Sequence, residues 1–231
     1  MALIKINEMF KSYPIGKGKF TALKHIDLEF VKGEFSGIVG PSGSGKTTLL
    51  NIIGSLDTQT EGEVVVMGNE IQNLSSKKSA KLRREHIGFI FQTYNLLPVY
   101  TVFENVEFPL LLLNITKAER KKAVMEALEW VGLSDKVKSR PSQLSGGECQ
   151  RVAIARAIVK KPSLVLADEP TANLDAENSH HILKTMKKLN EELGTTFIFS
   201  THDAKVIKYL RRKITLMDGK VAKDEIVNGT N

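Results

Sequence analysis

One cysteine, Cys149, is all that 231 residues provide, so an internal disulfide is excluded and no cysteine-based metal cluster can form. That usage suits a reducing compartment. No uninterrupted apolar run is longer than Leu110-Leu111-Leu112-Leu113, far below the ~20 residues of a membrane-crossing helix. A charged start followed by an apolar stretch is also missing, so no secretory leader is expected and the chain is expected to stay in the cytoplasm. Internal repeats, low-complexity tracts and sustained heptads are absent, and no nucleic-acid recognition motif occurs. The last absence bears on the net charge of +7, because basic surfaces attract nucleic acids and anionic membranes alike. The basic residues lie scattered through Lys77 to Arg84, Lys117 to Lys122 and Lys205 to Lys213, at helical spacing among polar neighbours. Solvated helix faces account for them, and no nucleic-acid partner is expected.

Hydrophobic residues at 42% and charged residues at 26% suit a globular protein with a substantial core. The most informative stretch is Gly40-Pro41-Ser42-Gly43-Ser44-Gly45-Lys46-Thr47-Thr48, which fits G-x-x-x-x-G-K-[ST] at every fixed position. Before it, Glu34 to Val39 is a short apolar-rich run, and after it Lys46 to Leu56 has the apolar spacing of a helix. Strand, glycine loop and helix, in that order, bind phosphate. Glycines let successive N–H groups turn toward one point, the helix start adds partial positive charge, and Lys46 adds a full one. The ligand is therefore expected to be a polyphosphate, with the Thr47 hydroxyl on a bridging magnesium ion.

Ahead of this unit, Ala2 to Phe10 and Thr21 to Phe30 partly alternate as half-buried strands around a loop at Pro14-Ile15-Gly16-Lys17-Gly18, predicting an antiparallel β piece. Tyr13 stands just before that loop, where a core has no evident need of an aromatic ring. Strands are predicted at Glu63 to Val66, Ile87 to Phe91, Ser163 to Ala167 and Thr195 to Ser200, and a hairpin over Ile214 to Val221 turns at Asp218-Gly219. Helices are predicted at Lys77 to Arg84, Lys117 to Val131, Gly146 to Lys160, Glu177 to Leu193 and Asp203 to Leu210. Thr116 and Glu119 make a capping box, Val124, Ala127, Leu128 and Val131 form a buried stripe, and Gly132 ends that helix. Alternating strands and helices imply an α/β fold on a mostly parallel sheet. Residues 93–143 hold no strand signal and read as a helical lobe inserted between core segments 1–92 and 144–231.

Leu144-Ser145-Gly146-Gly147-Glu148 precedes an apolar helix and reads first as a capping box, Ser145 capping and Glu148 reaching back. Two adjacent glycines are poor helix formers, however, and leave that N-terminus bare enough for an anion to approach. The chain thus has two phosphate-seeking helix starts. The second either folds back onto its own loop or serves a nucleotide held by another subunit. Asp168-Glu169 close an apolar strand at its C-terminal edge, where open α/β sheets bind ligands. One carboxylate can hold magnesium while its neighbour orients and deprotonates an attacking water.

Taken together, Gly40 to Thr47, Gln92, Leu144 to Glu148, Leu164 to Glu169 and His202 make essentially the whole chain resemble the ATPase subunit of an ABC transporter, a P-loop NTPase cassette with an antiparallel β subdomain and an inserted helical subdomain. The resemblance implies ATP and Mg2+ as ligands and a head-to-tail dimer of two copies, Ser145, Gly146, Gly147 and Glu148 of one copy facing the ATP on the other. It makes Asp168 a magnesium residue, Glu169 the catalytic base and His202 the contact to the γ-phosphate. Gln92 then meets magnesium and the attacking water, Tyr13 stacks on adenine, and Asp175 in Asn173-Leu174-Asp175 acts across the dimer. Cys149 stands where that family often has a polar residue such as glutamine.

The run Asp168 to Asp175 resembles the lipoprotein-releasing and macrolide-export group, which implies a separate integral membrane permease and a cassette resting on the cytoplasmic face of the membrane. Export or mechanotransmission is the expected role. An ATP-gated regulatory module acting through a membrane partner without transport is the alternative, and a soluble cassette acting on DNA or ribosomes is a third reading.

Overall fold

Alternating burial over the first thirty positions produces a long hairpin, β1 (Ala2–Ile15) and β2 (Gly18–Val31), in a computed structural model that describes residues 2–16 and 18–227. The expected loop at Pro14 to Gly18 is therefore tighter, since Pro14 pairs with Lys19 and Ile15 with Gly18. Lys17 lies outside the described residues. β1 also pairs with β4 (Glu61–Val66), but only as far as Phe10. Pro14, which has no N–H to donate, thus sits where β1 has a partner on one side alone. The chain runs from β2 through β3 (Phe35–Val39) and α1 (Lys46–Ile53) to β4, and β5 (Asn69–Glu70) completes an antiparallel sheet in the order β2-β1-β4-β5.

After α2 (Ser76–His86) and β6 (Ile87–Ile90), the interval that was expected to be helical holds α3 (Val102–Glu107) and α4 (Lys117–Trp130) and, among the described residues, no strand. Thr116 and Glu119 form the capping box of α4, and Val124, Ala127, Leu128 and Val131 are buried. The core resumes with α5 (Gly146–Ile158), β7 (Leu164–Asp168), α6 (Ala176–Leu193), β8 (Thr196–Thr201), α7 (Ala204–Ile207), β9 (Arg212–Met217) and β10 (Lys220–Ile226). The second sheet has the order β10-β9-β3-β8-β7-β6, parallel throughout except for the β9/β10 hairpin. α7 is shorter than the expected Asp203 to Leu210. Its chain must leave the helix so that Leu210 can pack on Gly37, where an added Cβ would lie 2.3 Å from the Leu210 side chain, and Arg211 N can donate to Phe35 O at 2.9 Å.

Two apolar clusters fill the molecule. One joins β1, β2 and β4 to α1 and one face of the parallel sheet, and the other joins the opposite face to α3, α4, α5 and α6. The helices of the inserted interval therefore share a core with α5 and β7. Phe35 is central to that side, 1% exposed, its ring centroid 4.7 Å from Phe199 and 5.7 Å from Phe197. Phe35→Ala is expected to cost about 3–5 kcal/mol, lost transfer energy plus the cavity, read as a lower urea midpoint at unchanged slope.

Arg212 binds the sheets at their shared edge, with Nε and Nη2 on the Asp224 carboxylate at 2.8 and 2.7 Å and Nη1 on Glu29 O at 2.6 Å and Glu34 Oε2 at 3.1 Å. This hairpin also backs the phosphate loop, because Gly219 N donates to Ser44 O at 3.2 Å.

Candidate active site

The parallel strands β3, β6, β7 and β8 end at one edge, and each hands its next residues to a cleft of about 500 Å3. After β3 comes the glycine loop. Gly45 takes φ of 101°, which a side chain resists, and an added Cβ there would lie 2.7 Å from the Leu23 side chain and 2.8 Å from Ala22 O. A Cβ at Gly40 would fall 2.1 Å from Leu216 O, so the loop lies flush against the β9/β10 hairpin. Lys46 is buried and its Nζ donates to Gly40 O and Pro41 O, both at 2.9 Å, which curls the loop around the ammonium. Ser42, Gly43, Gly45, Lys46, Thr47 and Thr48 line the cleft, whereas Gly40, Pro41 and Ser44 do not. Ser44 Oγ is buried without a partner among the described residues.

β7 delivers the two carboxylates. Asp168 meets the Thr47 hydroxyl, which donates at 3.1 Å to Oδ2. Glu169 turns back with φ of 45°, its N–H donating to Ser200 O at 2.8 Å, and its side chain is 13% exposed. Its Oε2 accepts from Thr201 Oγ1 at 3.0 Å and its Oε1 meets His202 Nδ1 at 2.6 Å. Gln92, just past β6, lines the same wall, and its carbonyl accepts from Asn173 Nδ2 at 2.8 Å.

This arrangement fits a magnesium nucleotide on its donor chemistry. Thr47 and Asp168 supply hard oxygen ligands side by side, and among the described residues no group of three His, Cys, Asp or Glu could hold a metal. A cation here would take its remaining ligands from phosphate oxygens and water, which is the usual situation of Mg2+. The glycine loop and Lys46 face those phosphates with N–H groups and one positive charge.

Not every expected residue lies in this cleft. Tyr13 sits in β1 beside it, with its hydroxyl donating to Asp57 Oδ2 at 2.8 Å and Lys11 Nζ 4.7 Å from its ring centroid. Burial and the Asp57 hydrogen bond push the Tyr13 phenol up. Burial works to raise the Asp57 carboxyl too, but hydrogen bonds from Lys11, Tyr13 and Thr58 N outweigh it and hold Asp57 below its ordinary value. The aromatic ring that does line the cleft is Phe20, 52% exposed and paired with Tyr13 across the hairpin. Sequence reasoning passed over it, and only that cross-strand register would have singled it out.

Ser145, Gly146, Gly147, Glu148 and Asp175 line no part of the cleft. The capping box at α5 is formed as expected. Ser145 Oγ accepts from Glu148 N at 3.2 Å, Glu148 Oε2 accepts from Ser145 N at 2.8 Å, and that backbone bond, with Lys136, holds Glu148 below the usual carboxylate range. Asp175 caps α6 through Asn178 N at 2.8 Å.

A phosphate loop closing on a strand-borne Asp-Glu pair, a glutamine and a histidine agrees with what known proteins show. The ABC transporter family model matches residues 23–172. An ABC transporter ATP-binding protein of Methanocaldococcus jannaschii, MJ0796, is 44% identical over 231 residues, covering 98% of each chain. The chain belongs to the ABC transporter family. The lipoprotein-releasing system ATP-binding protein LolD of Francisella tularensis is 44% identical over 230 residues, covering 99% of this chain and 98% of LolD. A dimeric structure of the MJ0796 cassette matches with a TM-score of 0.90 at 44% identity, over 98% of this chain and 100% of that one. A dimeric post-hydrolysis state of that cassette, bound to ADP and Pi, matches with a TM-score of 0.89 at 43% identity, over 98% and 100%. As a cassette of this family the chain is an ATPase that uses ATP and Mg2+. No described helix is long and apolar enough to cross a membrane, and the family implies a membrane partner.

Proposed function

We propose that the chain hydrolyses ATP between two head-to-tail copies of itself and uses that cycle to drive an integral membrane permease of the lipoprotein-releasing or macrolide-export kind. The observation that carries this reading is the division of the chemistry. Lys46, Thr47, Gln92, Asp168, Glu169 and His202 share one cleft, whereas Ser145, at a second glycine-rich helix start, is exposed and lies outside it. A second copy of the chain supplies that start to the open side of the nucleotide, with its Asp175 nearby.

Within one half-site, the loop amides from Ser42 to Thr48 and the Lys46 ammonium hold the β- and γ-phosphates and stabilise the charge that builds on them during transfer. Thr47 and Asp168 would hold Mg2+, joined by Gln92. When bound, the ion would neutralise charge developing on the phosphate oxygens. Glu169 takes a proton from the attacking water, and His202 meets the γ-phosphate. Tyr13, fixed by Lys11 and Asp57, stacks on adenine beside Phe20.

Residues 93–143 act as the helical lobe that passes the motion on. A cleft of about 330 Å3 lies where this interval meets β6 and α5, lined by Phe89, Phe91, Phe108, Pro109 and Leu112 together with Arg83, Arg84, Arg156 and Lys160. Phe108 and Leu112 remain 44% and 62% exposed. Such a groove suits a helix of the membrane subunit, and with it the cassette rests on the cytoplasmic face of the membrane. Similarity to the lipoprotein-releasing system ATP-binding protein LolD supports this over a purely regulatory role.

Purification of the full chain from membranes is expected to bring down a polytopic membrane protein, and Phe108→Ala to weaken that recovery by removing an exposed aromatic anchor of the groove. Recovery of ribosomes or nucleic acid in its place, or undiminished partner binding by that variant, would contradict the assignment. Cargo movement in sealed vesicles then separates transport from regulation.

A further inference from the structure

Glu169 can act as a base only if its carboxylate is held toward the cleft, and the exposed side chain beside it is poorly suited to that task. His202 meets Oε1 at 2.6 Å but is 68% exposed, and the same ring is assigned to the γ-phosphate. Thr201 has neither limitation. It is 0% exposed at the last position of β8, and its Oγ1 stands 3.0 Å from Glu169 Oε2.

The hydrogen-bond inventory fixes the direction of that contact. Asp203 N donates to Thr201 Oγ1 at 3.0 Å, so the hydroxyl accepts there, and its only proton goes to Glu169. Asp203 is itself tied down, its Oδ2 accepting from Thr171 Oγ1 at 3.0 Å and its Oδ1 from Lys205 N at 2.8 Å. The backbone supports the same geometry. Asp168 pairs with Ser200 in the parallel register of β7 and β8, and Glu169 N continues the pairing onto Ser200 O. The residue after each strand position thus lies alongside its counterpart, Glu169 beside Thr201.

We propose that Thr201 is a positioning residue for ATP hydrolysis, its buried hydroxyl holding Glu169 Oε2 so that Oε1 is the oxygen offered to the attacking water. The proposal rests on the reading of Glu169 as the base. The bond makes the two carboxylate oxygens inequivalent. One is committed to a fixed donor, and the other, which meets His202 at 2.6 Å, is released to the water when that ring turns to the phosphate. Without it the carboxylate is free to rotate about its last torsion, which is broad.

The test compares Thr201→Val, which keeps the branched shape and loses the hydroxyl, with Thr201→Ser, which keeps the hydroxyl. Single-turnover and steady-state hydrolysis of Mg-ATP by the full chain are measured, with melting temperature as the check on folding. Thr201→Val is expected to lower kcat by about tenfold to hundredfold at unchanged KM, the scale of a misplaced catalytic group, and Thr201→Ser to restore it. The loss is expected to persist in a His202→Ala background and to vanish in a Glu169→Gln background. Wild-type kcat in Thr201→Val, a Thr201→Ser variant as slow as Thr201→Val, or a loss that disappears with His202→Ala would each overturn the proposal. Hydrolysis at the wild-type rate by Glu169→Gln alone would instead remove Glu169 as the base, an outcome read without reference to Thr201.

Discussion

Glu169→Gln is expected to lower ATP turnover by about 10²–10⁴-fold, the usual contribution of a general base, while leaving ATP binding and nucleotide-dependent pairing of two copies intact. The substitution is nearly isosteric. Glu169 Oε2 accepts from Thr201 and the backbone N–H donates to Ser200 O, and an amide oxygen can serve the first bond while the second is untouched. What disappears is the lone pair that accepts a proton from water. The groups proposed to hold phosphate and magnesium are elsewhere, the first on the glycine loop and the second at Thr47 and Asp168. Nucleotide therefore enters and the pair of subunits closes, but the step that reopens it fails. Size-exclusion chromatography with Mg-ATP should show a stable dimer for Glu169→Gln and a transient one for the parent chain. Turnover at the parent rate would exclude Glu169 as the base, and loss of nucleotide binding would make its role structural.

The parts of the site legible in the sequence were those that depend on a few consecutive residues. Gly40 to Thr47 needs only a strand before it and a helix after it, and both are present in β3 and α1. Asp168-Glu169 could be placed at a strand end because four apolar residues lead into them, and the capping boxes at Thr116 and Ser145 are three-residue contacts. Contacts made across strands were not legible. Tyr13 and Phe20 are neighbours only through the β1/β2 register, and Thr201 reaches Glu169 only because β7 and β8 run parallel with Asp168 opposite Ser200. The reach of the hairpin past Pro14 was hidden for the same reason, since it depends on which side of β1 is paired. The absence of strand signals in residues 93–143 pointed to helices there, but not that these helices share one apolar cluster with α5, β7 and α6.

Ser145→Arg is expected to abolish turnover, by at least the roughly 10²–10³-fold that follows loss of one donor to a developing charge, without weakening ATP binding by the monomer. Locally the change is mild. Ser145 is exposed and caps α5 through Glu148 N, so the lost cap costs about 1 kcal/mol, far too little to unfold the domain. Glu148 keeps its bond to Ser145 N, which is backbone, and its pairing with Lys136 at 3.3 Å. Neither Ser145 nor its neighbours line the cleft of their own chain, so the first binding event has no use for them. Their effect arises only when a second copy brings its helix start to the nucleotide, and there a bulky guanidinium occupies the space left open by the glycines. Combining the two substitutions separates binding from closure. Glu169→Gln alone should hold an ATP-bound dimer, and Glu169→Gln with Ser145→Arg should bind ATP as a monomer and stay one. If Ser145→Arg instead weakens nucleotide binding by the isolated monomer, the α5 N-terminus acts on its own cleft and the head-to-tail arrangement is wrong.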